Sequence, residues 1–207
     1  MYVSLNQISK RYNFNYIFKE VNARIEPGNP LVILGPNGSG KSTLLGIISG
    51  HIPASGGKIS WELNGGSLED SLVYQQISLA APYLELIEDF TLEEQIRFHF
   101  QLKPSAEGLK LPEIVHLSGL EKARHRKIHY FSSGMKQRLK LVLAILSDVP
   151  LLLLDEPLSN LDASGADWYA GLIKRFGGSK SIVVCSNHQE KEHFFCTQSI
   201  QISDYQK

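Results

Sequence analysis

The nine residues Gly35, Pro36, Asn37, Gly38, Ser39, Gly40, Lys41, Ser42 and Thr43 constrain this chain more than any other feature. They follow the apolar run Leu31–Leu34 and precede Leu44, Leu45, Ile47 and Ile48 at helical spacing, so the sequence predicts a buried strand, a glycine-rich turn and a helix, in that order. Glycines at 35, 38 and 40 let the backbone turn tightly and aim its N–H groups inward, and the helix start adds the positive end of its dipole. A polyphosphate suits such a turn. Lys41 is placed to reach the β- and γ-phosphates as a point charge, and the Ser42 hydroxyl to ligate magnesium, a hard cation that prefers oxygen donors. A glycine-rich turn that resembles the motif by chance is the alternative.

A chain of 207 residues, 43% hydrophobic, can bury a sizeable core as one domain with a subdomain inserted, but is too short for two complete nucleotide-binding units. Lysine plus arginine equal aspartate plus glutamate at 21 each, which leaves no electrostatic case for nucleic acid or an acidic membrane surface as partner. The opening residues contain no apolar stretch behind a basic one, so Met1 is expected to begin the mature protein. The apolar tract Leu139–Leu154 is interrupted by Lys140, Ser147, Asp148 and Pro150 and is too short to cross a bilayer; the chain is expected to be soluble by itself. Cys185 and Cys196 show no metal-ligand spacing and are expected to be reduced, inert thiols in cytosol.

Residues 2–26 alternate in places and end in the turn Glu26-Pro27-Gly28, which predicts antiparallel strands ahead of the phosphate-loop strand. Ile59, Trp61 and Leu63 alternate before the turn signal Asn64-Gly65-Gly66, and Ile77–Ala81 is apolar enough for a core strand. From about Thr91 to Leu146 the pattern is helical. Thr91 and Glu94 form a candidate capping box, although Ile96, Phe98 and Phe100 fit either period over so short a window. Leu139, Val142, Leu143 and Leu146 mark the inner face of a helix after Gly134. Leu151–Leu154 and Ser181–Cys185 are continuously apolar, as parallel strands buried on both faces should be.

The four leucines deliver Asp155 and Glu156 at the carboxyl end of a buried strand, where open α/β sheets gather ligand-binding groups. Adjacent acids there are costly without a cation. Asp155 is placed to hold the magnesium shell, and Glu156 to orient and polarise a water for in-line attack on the γ-phosphorus. An acidic strand end that merely caps the next element is the alternative.

With these residues in view, the whole chain resembles the ATP-binding subunits of ABC transporters. Leu151–Pro157 resembles that family's Walker B strand with its catalytic glutamate, and Ser159–Asp162 its D-loop. Phe131–Arg138 resembles the signature motif, with Ser133 and Met135 in place of the usual glycine and glutamine. His188 falls where the family has its switch histidine, and Tyr12 where it places an aromatic ring that stacks on adenine. Each has a plainer reading: Ser132 as an ordinary helix cap, His188 as a satisfied histidine after a core strand, Tyr12 as a strand aromatic.

The resemblance implies an α/β fold: a P-loop NTPase with a RecA-like core, an antiparallel β subdomain and an inserted helical subdomain over about 85–146, all in one domain spanning 1–207. It implies ATP and Mg2+ as ligands, with Ser132, Ser133 and Gly134 closing over ATP held by a second copy of the chain in a head-to-tail homodimer. It further implies transmembrane transporter subunits as partners and a cytoplasmic place on the inner face of the cell membrane. Compact length and the Ser132–Met135 signature resemble exporters more than sugar importers.

One element departs from the family pattern. A glutamine expected at the end of a core strand falls at Pro82, while Gln75 and Gln76 lie at the other end of that strand. Either another group fills the role or hydrolysis is slow. Pro82–Phe90 corresponds to the surface where relatives receive a helix from the membrane partner. The basic run Lys122, Arg124, Arg126, Lys127 reads as a solvated face. Two other functions fit less of the sequence: a non-transport ABC ATPase of DNA repair, translation or cofactor assembly, and a weakly hydrolysing ATP-gated binding module.

Overall fold

The apolar run at 31–34 lies inside a five-stranded parallel sheet, as its uninterrupted hydrophobicity requires. The computed structural model describes residues 1–206. Two long strands come first, β1 (Tyr2–Tyr12) and β2 (Asn15–Ile25), paired antiparallel, then β3 (Leu31–Leu34) and helix α1 (Lys41–Ile48). Strands β4 (Gly56–Leu63) and β5 (Gly66–Leu68) return to β1 and complete a four-stranded antiparallel sheet in the order β2-β1-β4-β5. Asn64 and Gly65 both adopt positive φ, 53° and 79°, the primed turn that the Asn-Gly pair predicts.

The parallel sheet takes β6 (Ile77–Ala80), β7 (Leu151–Asp155), β8 (Ser181–Ser186) and β9 (Gln198–Gln201) in the order β6-β7-β8-β3-β9. Both its faces are buried. Leu151 and Leu153 pack with α1 and the antiparallel sheet, while Leu152 and Leu154 pack with the helices on the other side, so one strand serves two cores at period two. This is the P-loop NTPase architecture the sequence implies.

Between β6 and β7 lie helices α2 (Leu92–Leu102), α3 (Leu111–Ser118) and α4 (Ser133–Ile145). Thr91 Oγ1 accepts from Glu94 N at 3.3 Å and Glu94 Oε2 from Thr91 N at 2.7 Å, which completes the capping box. The ambiguous window is helical: Leu92 and Ile96 are buried while Phe98 is exposed, so 96, 98 and 100 do not share a face. Beyond β7 come α5 (Ala163–Phe176) and the short α6 (Glu190–His193). The basic run lies largely in solvent, with Arg124 Nε engaged by Glu93 Oε2 at 2.6 Å.

His99 on α2 meets the Ser147 hydroxyl at 2.8 Å, and burial, aided by the charge of Lys103, lowers its pKa to about 4 from 6.5. The unfolded chain therefore binds a proton between pH 6.5 and 4 that the folded chain refuses. Stability is full above that window and falls as pH drops through it, by up to about 3 kcal/mol. Thermal midpoints measured from pH 7 to pH 5 are expected to fall more steeply in the natural protein than in His99→Gln; equal slopes would remove His99 as the cause.

Candidate functional site

Parallel pairing places the carboxyl ends of β3, β6, β7 and β8 side by side, and each ends in residues singled out by the sequence. Strand β3 runs into the loop 35–40, where Gly40 has φ 100° and a Cβ would fall 2.5 Å from Ile17, so no other residue fits there without displacement. No side chain caps α1, which leaves its first N–H groups to an anion. Ser39 Oγ is buried and has no hydrogen-bond partner, an orphan inside the same loop.

Lys41 is 4% exposed, and its Nζ donates to Gly35 O at 2.8 Å and Pro36 O at 3.2 Å while lying 3.8 Å from Glu156 Oε1. The strand end thus presents its second carboxylate directly to the loop lysine. Asp155 is 2% exposed, and burial raises its pKa above the usual carboxylate range; Ser42 lies close enough to offset part of that rise. A buried acid facing a serine hydroxyl, with an orphan serine and uncapped N–H groups nearby, fits a nucleotide phosphate and the magnesium that accompanies it. Among the described residues no cluster of three or more His, Cys, Asp or Glu could hold a metal.

Glu156 holds φ at 44° and donates its N–H to Cys185 O at 2.9 Å, so a backbone bond to β8 fixes the turn that aims its side chain. His188 also has positive φ, 60°, and is exposed on the loop after β8, next to the phosphate-loop strand. Tyr12 ends β1 half exposed, with Lys10 Nζ 4.9 Å from its ring centre. Phe14, 94% exposed at the tip of the same hairpin, was not foreseen as part of this aromatic edge.

Ser132 caps α4, its Oγ accepting from Met135 N at 3.2 Å, and α4 begins at Ser133 rather than after Gly134. Ser133 and Gly134 therefore belong to the first helical turn. Ser132 and Ser133 are exposed, and Gly134 packs so closely on Asn160 that a Cβ would fall 2.9 Å from its carbonyl oxygen. Of the three, Gly134 packs on the segment after Glu156, while Ser132 bonds within the first turn of its own helix.

No glutamine follows the carboxyl end of β6 at Ala81–Pro82. Gln75 and Gln76 sit on the 3₁₀ turn Asp70–Gln76 before β6, and Gln95 is spent on Ile87 N at 3.0 Å. Lys140 Nζ instead holds Pro82 O at 2.8 Å. Tyr83 follows; although its ring is half exposed, partial covering of its hydroxyl and then the charge of Asp155 push its pKa up to about 12. Tyr83 and Leu84 join Ser42, Thr43, Ile52 and Tyr74 around a largely apolar groove of 680 Å³ beside α1. Both cysteines are free thiols, and burial raises both pKa values, that of Cys196 to about 12, which keeps them protonated and unreactive. No described helix is long and apolar enough to cross a membrane.

Sequence reasoning also passed over Glu192, which lies in the polar run Gln189–His193 yet is 1% exposed. Nothing local distinguishes it from Glu190; only the packing against Tyr169 does, whose hydroxyl donates to Glu192 O at 2.9 Å.

The ABC transporter family model matches residues 18–159. A cytochrome c biogenesis ATP-binding export protein of Rhizobium meliloti is 30% identical over 88% of each chain. An energy-coupling factor transporter ATP-binding protein of Thermotoga maritima is 36% identical over 78% of this chain, and the match spans 63% of that relative's length. Among solved structures, an ATP-binding subunit of an ABC transporter superposes with a TM-score of 0.84 at 25% identity, over 97% of this chain and 85% of the other. A bacterial ABC transporter cassette solved as a dimer superposes at 0.81 and 24%, over 96% and 93%. Family model, relatives and fold agree with the loop, the acid pair and their geometry: the chain belongs to the ABC transporter family as one of its ATP-binding members.

Proposed function

We propose that this chain is the ATP-hydrolysing motor of a transporter, working as a head-to-tail pair beneath separate transmembrane subunits on the cytoplasmic face of the membrane. The observation that carries the reading is the Glu156 carboxylate, held at a strand end and 3.8 Å from the Lys41 ammonium of the phosphate loop. Lys41 and the loop N–H groups bind the phosphates of ATP, and Tyr12 offers its ring to adenine. Ser42 and Asp155 are the residues that would hold magnesium, which when bound supplies positive charge against the phosphate oxygens. Glu156 accepts the proton of the attacking water, and His188 steadies the γ-phosphate. The products are ADP and phosphate.

Ser132 and Ser133 are exposed at the start of α4, which supports their use by a second copy, as does the dimeric cassette of the same fold. Two stacked sites would then open and close together. The groove beside α1 supports a membrane partner: it is largely apolar, shares Ser42 and Thr43 with the phosphate loop, and is lined by exposed Tyr83 and Leu84. A helix seated there would touch the nucleotide end of α1 directly. With no glutamine side chain at the β6 end, turnover by the isolated chain is expected to be slow and to rise when the groove is filled.

The test is coexpression with candidate membrane subunits and measurement of phosphate release in the assembled complex. Tyr83→Ala with Leu84→Ala is expected to weaken assembly by about tenfold or more, since buried aromatic anchors dominate such contacts. Unchanged assembly and unchanged stimulation by the partner would refute the docking surface.

A further inference from the structure

Glu192 is a buried carboxylate that this reading leaves without work, yet its two oxygens engage both halves of the site. Oε1 accepts from Leu158 N at 3.1 Å, two residues beyond Glu156. Oε2 accepts from Ser186 Oγ at 2.5 Å, two residues before His188. The Ser186 hydroxyl in turn accepts from Gln189 N at 3.2 Å, closing the loop in which His188 holds its positive φ. The backbone of Glu192 is itself anchored, because the fully buried Tyr169 of α5 donates to its carbonyl.

We propose that Glu192 is a positioning residue for ATP hydrolysis, bracketing the segment that follows Glu156 against the loop that carries His188 so that the two move as one unit. The proposal rests on the assignment of Glu156 and His188 as the hydrolytic pair. Its physical basis is the pairing of donors. A buried acid is costly, more so within reach of the Asp155 and Glu156 charges, and an apolar side chain would pack the same space at lower cost. A carboxylate alone offers two acceptors that point at donors on two separate segments.

The bracket also reaches toward the neighbouring protomer's side of the site. Gly134 of the serine tip abuts Asn160, two residues along the chain from Leu158, so the start of α4 packs on the same segment that Glu192 ties to Ser186.

A double-mutant cycle tests this. Glu192→Gln retains an acceptor for Leu158 N but offers one group fewer that can accept from Ser186. It is expected to lower kcat at saturating ATP about tenfold, with KM and the affinity for a non-hydrolysable ATP analogue changed less than about twofold. In a His188→Ala background the same substitution is expected to cost less than about twofold, because the group it positions is gone. Ser186→Ala should repeat both results, and carries the test if Glu192→Gln does not fold. An unchanged kcat, or losses that multiply independently in the double variant, would overturn the bracket, as would a parallel rise in KM with a lower thermal midpoint, the mark of a structural brace alone. Loss of turnover in Glu156→Gln and His188→Ala without loss in Glu192→Gln would sink the bracket and leave the hydrolytic assignment standing.

Discussion

Replacing Glu156 by glutamine is expected to lower the rate of phosphate release by about 10²- to 10⁴-fold, the usual worth of a positioned proton acceptor. The amide fills the same volume and can still meet the Lys41 ammonium through its carbonyl oxygen, so the turn at φ 44° and the bond from Glu156 N to Cys185 O have no reason to change. What is lost is the capacity to take a proton from water. ATP affinity is therefore expected to stay within about threefold of the natural protein, separating kcat from binding. Because the nucleotide is no longer consumed, ATP-saturated Glu156→Gln should sediment as a pair and return to single protomers on exchange into ADP. Persistence of single protomers in ATP, with transmembrane subunits present or absent, would contradict the shared-site arrangement, and an unchanged rate would show that another group takes the proton.

The sequence was most legible where one kind of residue has few uses. A turn of three glycines followed by lysine and serine, set between an apolar run and a helical pattern, admits little besides a phosphate loop, and the structure places it between β3 and α1. The four leucines before Asp155 read as a doubly buried strand because no polar residue interrupts them, and they pack into both cores. Strand β9 was not foreseen: it is a four-residue edge strand with polar residues at three positions, and its partnership with β3 is set by tertiary contact. Helix α5 went unremarked for the opposite reason, since its signals were present. Asp162 caps it through Gly165 N at 2.8 Å, and Ala166, Tyr169, Leu172, Ile173 and Phe176 line its buried face at helical spacing. Glu192 lay beyond any local reading, because its burial depends on Tyr169, Leu158 and Ser186, which are distant in sequence or indistinguishable in type.

Substituting Lys41 by alanine is expected to raise the dissociation constant for ATP by roughly 10- to 150-fold, from the loss of about 1.5–3 kcal/mol of charge-assisted contact with phosphate. Turnover should fall with it, unlike in Glu156→Gln, because the ammonium serves the bound and the reacting nucleotide alike. Removal has a second cost inside the loop, where Gly35 O and Pro36 O both accept from the Nζ of a side chain only 4% exposed. Lys41→Arg is no remedy, since a planar fork does not replace a compact ammonium between two carbonyls. The defect also distinguishes a site built from one chain from a site built from two. If the serine tip of one protomer completes the phosphate loop of another, Lys41→Ala and Ser133→Glu are each inactive as homodimers, the second because it sets a carboxylate against phosphate. Mixed together, they form pairs in which one composite site joins an intact Lys41 to an intact tip. Equal mixing should then restore phosphate release toward about a quarter of the natural rate per protomer, given random pairing and one working site in half the pairs. A mixture no faster than its components would place every catalytic group of a site on a single chain.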